Sequence, residues 1–505
     1  MRSRSQSSGQ IIVLASIAMI AVIGFAALAV DIGYMYSTKR SMQTAADAAA
    51  IAAANALQST NSNNYQQAAT DVATLNGFTN GQNGVTVNVG TPTSGPYSGN
   101  SSYVEVDVKQ AVPTFFLRVL GFNTLNVAAS AVSGTVSGSG CVYALDPSMS
   151  GAISLTGNIT INASCGIIDN SSSSSALSVT GNATINTAYT GVSGNYTTSG
   201  NVTITPTPKT KICPAMDPLG GIAAPGYTSN SSYTQLSSNN SGSYSVSGNN
   251  QTVIVPAAIY TGGVSITGNS AVVTFSAANY GNGITISGNV SSATFNPGTY
   301  QNGGSGNSIS ISGNAVTTFN AGTYTFAGPV SITGNNTVTL SPGTYYGGIS
   351  ITGNANVTFN PGTYILAGGG LSVTGNSTLT GTGVTFYNSY SKNYSYAPIN
   401  LTGNETAKLS APPSGSLAGM LFFQDRSIAS GSAGSTIVGN SSSTFDGAVY
   451  FSTTSVKYTG NSSGSGYTFL IADSITMTGN TSMTIGTNYS SLSAGSPIKS
   501  STLFE

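Results

Sequence analysis

A mainly β chain, with one long helix at its start and a parallel β-helix over most of its length, is the fold this sequence predicts. Three observations predict it. A Ser/Thr-Gly-Asn triplet returns every 19–25 residues through the centre of the chain. Between the triplets, apolar and polar residues alternate with period two, the pattern of short half-buried strands. Near the N-terminus stands a run of 20 uncharged, almost wholly apolar residues, Ile11 to Val30.

The apolar run has about the length a helix needs to cross ~30 Å of hydrocarbon. Arg2 and Arg4 precede it and Asp31 follows. That asymmetry puts residues 1–10 in the cytoplasm and the remainder outside it. Ala27-Leu28-Ala29 also fits the small-residue site of a cleaved secretory signal. A retained anchor is preferred, because STKRSMQTAADAAAIAAANAL carries helix-forming residues past the run without Gly or Pro. One helix from about Gln10 to Leu57 is expected.

Residues 31–135 are expected to hold the rest of that helix and a small α+β module. QQAATDVATLNGF suits a short helix, and VTVNV and YVEVDV alternate as strands. FFLRVLGF and LNVAASAVSG close the unit. A helix feeding a small sheet is the general plan of pilin-like subunits, an analogy of architecture only.

The segment GQIIVLASIAMIAVIGFAALAVDIGYMYSTKRSMQTAADAAAIAAANAL resembles the N-terminus of TadG-like proteins of the Tad/Flp pilus-assembly system. Val104–Gly134 is similar to that family's region after the helix. CVYALDPSMSGAISLTGNITINASCGIIDNSSSSSALSVTGNA and Leu417–Ser427 resemble parts of its longer members more loosely. The resemblance implies a bacterial envelope location and a part in pilus assembly or surface attachment; taken with the apolar run, the expectation is a single pass through the inner membrane. Its implied partners are other pilus-assembly or envelope proteins, and it implies no enzymatic activity.

From 136 to 505 the chain is expected to be β-solenoid, with an excursion at about 205–245 where Pro and Gly gather. The triplet Asn residues fall at Asn249, Asn269, Asn289, Asn314, Asn335, Asn354 and Asn376. A fixed period of this size marks stacked coils, and these seven would rise roughly 35 Å at the usual ~4.8 Å strand spacing. Tyr260, Tyr280, Tyr300, Tyr324, Tyr345 and Tyr364 each follow their Asn by 10 or 11 residues. The Asn column is expected to serve turns and packing. The Tyr column suits packing, with an exposed strip touching glycan or another surface as the alternative.

Charge limits the chemistry. Lys plus Arg and Asp plus Glu number 13 each, so nothing favours a nucleic-acid partner. The chain has no His, which removes the usual general base and imidazole ligand. Residues 218–391 carry no formal charge at all. Polysaccharide-cutting β-helices need clustered carboxylates or a basic catalytic group, and none can be built there. Gly460–Gly464 has the G-x-S-x-G form, but no His exists to activate Ser462. The clusters Gly303–Gly306 and Gly368–Gly370 lack the Lys of a phosphate loop. No catalytic residue, cofactor site or metal site is assigned.

Cys141 and Cys165 lie about one coil apart and could form a disulfide at the solenoid's start in an oxidising compartment. Cys213 is the odd thiol. Asp425-Arg426 reads as a local ion pair, and Asp446 and Asp473 read as isolated. The sequence therefore points to a non-catalytic envelope component. The competing class is a carbohydrate-binding adhesin unrelated to pili, contacting glycan through the Tyr strip.

Overall fold

A computed structural model describes residues 8–504, apart from 59–63, 102, 138–139, 213, 230–241, 257, 277–278, 301–305, 464–467, 487 and 494. The chain divides into two compact units: Met1–Ser137 with Lys499–Glu505, and Gly138–Ile498.

In the first unit a single helix, α1, runs over Ser8–Gln58. Its two halves differ in character. From Val13 to Val30 the described apolar side chains are exposed, apart from half-buried Ala27. Farther on, Met42, Ala45, Ala46, Ala49, Ala50 and Ala53 are fully buried. Their spacing of three and four residues makes one helical face, and the small side chains allow close approach to a sheet. A short helix, α2 (Tyr65–Leu75), packs through Ala69 and Ala73.

The sheet under α1 is antiparallel. β1 (Val85–Gly90) pairs with β2 (Tyr103–Pro113), which pairs with β3 (Thr124–Ser137). In β2 the alternation puts Val104, Val106 and Val108 inward, while Glu105, Asp107 and Lys109 point away from the core. The fourth strand was expected in the solenoid and is not there. Lys499–Phe504 pairs antiparallel with β3, Val132 opposite Phe504 and Ser137 opposite Lys499. β3 has a free edge, and the returning chain satisfies its backbone groups. The repeat domain is thus 138–498, an insertion between two neighbouring strands of the small sheet.

The second unit is a parallel β-solenoid of about 14 turns. Each central coil has three short strands. In one coil, Ile349–Gly353 buries Ile349 and Ile351, Asn356–Phe359 buries Val357 and Phe359, and Gly362–Ala367 buries Tyr364 and Leu366. The next coil matches strand for strand, with Ile349 opposite Leu371 and Gly353 opposite Gly375. Interior positions are filled mostly by Val, Ile, Leu, Phe and Tyr, and the buried carboxyls among the described residues of this unit are Asp169 and Glu405.

The order of coils in space departs from their order in sequence. The chain enters through β4 (Gly140–Ala144) and β5 (Ile153–Ala163). It makes two further coils with β6 (Gly166–Asp169), β7 (Leu177–Asn186), β8 (Tyr189–Val192) and β9 (Tyr196–Thr205). It then leaves, resumes coiling at Tyr244–Val246, and stacks coil upon coil in sequence order. The last coil comes to rest on the first: Ile475–Ile485 pairs with β5 over eleven residues, and Thr468–Ala472 pairs with β4. Both chain ends of the domain therefore emerge from within the stack.

Candidate functional site

The Ser/Thr-Gly-Asn turn forms two columns. Its Gly residues stack backbone on backbone: at Gly353, with φ +97°, a Cβ would lie 2.9 Å from both N and O of Gly334. Only glycine fits both that conformation and that spacing. The seven Asn side chains beside them are exposed. Several link along the axis. Asn314 Nδ2 donates to Asn289 Oδ1 at 3.0 Å, Asn354 to Asn335 at 3.0 Å, and Asn376 to Asn354 at 3.2 Å. The Asn249 Oδ1 instead accepts from the Asn269 backbone N–H at 3.2 Å.

The Tyr column lies in the core. Tyr260 is 6% exposed, and Tyr280, Tyr300, Tyr324, Tyr345 and Tyr364 are at most 1% exposed. This column is therefore not an exposed strip. Rings stack at 5.5 Å between Tyr260 and Tyr280 and at 5.9 Å between Tyr280 and Tyr300. Farther along, Phe326 enters the column between Tyr324 and Tyr345, because Tyr345 pairs with Phe326 in the register. Each hydroxyl donates to the carbonyl four residues earlier, as Tyr345 does to Ser341 O at 2.6 Å and Tyr364 to Asn360 O at 2.8 Å. Burial pushes the Tyr345 hydroxyl well above its ordinary pKa, so it remains a neutral donor. A second column, Phe275, Phe295 and Phe319, stacks at 4.4 and 4.5 Å.

Cys141 and Cys165 are joined as a disulfide, with Cα atoms 5.7 Å apart. They lie on adjacent coils next to the place where the last coil meets the first, inside the stack rather than at its end. Cys213 falls outside the described residues.

The excursion after β9 becomes a strap along one side of the solenoid. Asn170 exchanges two hydrogen bonds with the backbone of Ala215. Tyr450 donates to Asp217 Oδ2. Arg426 donates through Nε to the Tyr450 hydroxyl at 2.7 Å and through its other nitrogens to the Leu219 and Ile222 carbonyls. Its guanidinium lies over the Phe423 and Tyr450 rings at 5.0 and 5.1 Å. Tyr227 meets Ser389 and the Tyr390 carbonyl, and Tyr346 donates to Thr228 O. From Asn170 to Tyr346 the strap passes seven coil steps. That is ~34 Å at the usual strand spacing, within reach of an extended segment from Ala215 to Thr228 at ~3.3 Å per residue.

Arg426 thus serves the strap and not a local ion pair with Asp425. Asp425 accepts instead from Ser389 Oγ and from the Ser427 N–H and hydroxyl. Burial raises its pKa, but these bonds and one from Tyr387 outweigh that and hold it below the usual carboxylate range. Asp473, which reads as isolated in sequence, is close enough to Asp146 that the two repel. Burial first, and then Asp146, raises its pKa. Asp169 on the next coil is likewise raised, to about 6, chiefly by burial.

No group of three His, Cys, Asp or Glu side chains is placed to hold a metal ion among the described residues. Ser462 lies within the strand Val456–Ser463, paired on both sides. It has no strand-to-helix elbow, the context a nucleophilic serine of that motif requires. The arrangement is one of stacked amides, stacked rings and a fastened strap.

Residues 9–56 match the family described as Flp pilus-assembly TadE/G-like. Residues 36–133 match a second, described as Tad-like Flp pilus-assembly. The N-terminal region is a TadE/G-like pilus-assembly region. These TadE/G-like segments cover α1 and the sheet as far as β3 and stop before the solenoid begins. No curated protein and no solved structure matches the chain.

Proposed function

We propose that the chain is a membrane-anchored, non-catalytic structural component of the bacterial envelope, acting in Tad/Flp pilus assembly or surface adhesion. In this reading α1 crosses the inner membrane once through Ile11–Val30, with residues 1–10 in the cytoplasm. The solenoid stands outside as a spacer or contact surface for other envelope proteins. The two-natured helix supports the anchor: lipid-suited side chains are exposed from Val13 to Val30, and a packed Ala face begins at Met42. The TadE/G-like match over the same helix supports the pilus assignment. A glycan-binding adhesin loses its proposed contact, since the Tyr rings are buried. A glycan would have to use the exposed Asn and Thr side chains instead.

Membrane fractionation with protease shaving of spheroplasts tests this. The chain should stay with the membrane after alkaline carbonate, the solenoid should be cleaved from outside, and deletion should reduce surface pili. A carbonate-soluble chain, or normal piliation without it, would overturn the proposal.

A further inference from the structure

Immediately beyond the apolar run, Asp31 is fully buried. Its carboxylate accepts three backbone N–H groups, from Phe115 at 2.8 Å, Phe116 at 2.9 Å and Leu117 at 2.6 Å. These belong to the loop between β2 and β3, which is a built structure. Thr114 N–H donates to Asn123 O at 3.1 Å and the Thr114 hydroxyl to Phe122 O, closing its neck. A 3-10 turn, Leu117–Leu120, ends at Gly121 with φ +90°.

What this loop presents is apolar. Phe115 is 53% exposed, Phe116 49%, Val119 84% and Phe122 54%. Four such side chains on one short loop are costly in water and usually mark a contact. The loop has one charged residue, Arg118, which is also exposed, and no acidic one. On α1 at the same level, Tyr34 is edge-on to Phe115 at 5.3 Å, and Tyr36 is 75% exposed. Aromatic rings with a nearby cation, one residue past a hydrophobic span, are the composition of a membrane–water interface.

We propose that the loop Thr114–Asn123 is a second membrane contact, inserting its Phe side chains into the headgroup boundary of the bilayer that α1 crosses. The inference rests on the anchor reading above. It is favoured over a protein partner because Asp31 fixes the loop at the end of the exposed apolar run, where lipid is the adjoining phase. Asp31 then has a positioning role. It fastens the loop to the helix at one height, so the TadE/G-like unit meets the membrane at two points instead of pivoting on one.

The chain contains no Trp, so a single introduced Trp reports its own surroundings. Full-length protein carrying Phe116→Trp, Ile17→Trp or Ile254→Trp would be reconstituted into vesicles of phosphatidylethanolamine and phosphatidylglycerol with brominated acyl chains. Phe116→Trp should show blue-shifted, quenched emission with shallow bromines most effective, Ile17→Trp should be quenched by deep bromines, and Ile254→Trp, in the solenoid, should not be quenched. Adding Asp31→Ala should relieve the quenching at Phe116→Trp and leave Ile17→Trp unchanged. Quenching at Ile17→Trp without any at Phe116→Trp overturns the loop proposal alone, and a blue shift there without quenching points to a protein partner. Quenching of Ile254→Trp equal to that of Phe116→Trp means adsorption and also overturns it. Failure at Ile17→Trp removes the anchor reading and the loop proposal together.

Discussion

Asp169 is a carboxyl that the fold holds at a cost. It is fully buried at the end of β6, accepts one N–H from Ser171 at 3.0 Å, and shares its surroundings with Asp146. Its folded pKa of about 6 lies above the ordinary 3.8, so the folded state binds the proton more tightly than the unfolded one. Stability from this group is complete below about pH 4 and is lost as pH rises through about 6. The difference is worth at most about 3 kcal/mol. Asp169→Asn should flatten the dependence of unfolding midpoint on pH between 4 and 7, read by urea denaturation, and an unchanged slope would refute the assignment. The Tyr hydroxyls work oppositely, as donors that close turns. The single Tyr364 O–H is shared between Asn360 O and Leu340 O, the second of which also accepts the Asn360 N–H, so Tyr364→Phe removes a bond shared by a part-buried and a buried carbonyl. A loss of about 1–3 kcal/mol is expected, and a neutral result would mean water replaces the hydroxyl.

At the scale of elements, the strap is held by Arg426 together with Asn170 and Tyr450. Arg426→Ala removes two bonds to strap carbonyls and one to Tyr450. The solenoid core does not need those bonds. Amide exchange within 211–229 should therefore speed up by about tenfold or more, while the global unfolding transition barely moves. Equal acceleration across the coils would show that the strap and the stack open together. None of this was legible in the sequence, although KICPAMDPLGG announced an excursion by its Pro and Gly. Ile222 and Arg426 are 204 residues apart, and local spacing carries no information across such a gap. The coils were legible, because strand period and turn chemistry repeat locally in Ile349–Tyr364 and its neighbours. The Tyr column was legible as a column, with packing the preferred role and an exposed strip left open as the alternative. An inward ring and an outward ring share the same spacing, and the side is fixed by the alternation within the strand, where Leu366, two residues after Tyr364, is also inward. The C-terminal strand was missed for a related reason: KSSTLF has no triplet to exclude it from the solenoid and no feature that names β3 as its partner.

The whole domain is a stack whose chain starts inside it. In a solenoid each coil touches only its neighbours, so the order of coils in sequence is free to differ from their order in space, provided a connection can reach. Here the strap is that connection. It carries the chain from the β9 end towards the opposite end, so that the later coils run back to cover β4 and β5. The two ends are then blunted differently: β9 presents Thr, Ser and Asn side chains, while the coil at the other end leaves Ile254 70% exposed. Closure can be tested directly, because the meeting coils put Asn158 Nδ2 2.7 Å from Asn480 Oδ1 across 322 residues of sequence, both side chains exposed. The double variant Asn158→Cys with Asn480→Cys should oxidise to an intramolecular disulfide, seen as a mobility shift on non-reducing gels, and should stabilise the domain by at most about 6 kcal/mol on the loop-length scale. Asn201→Cys with Asn249→Cys, which would join if the coil after the first three stacked on them in sequence order, should remain reduced. Crosslinking in the second pair and not the first would mean that the last coil does not rest on the first, and the strap would then have no crossing to make.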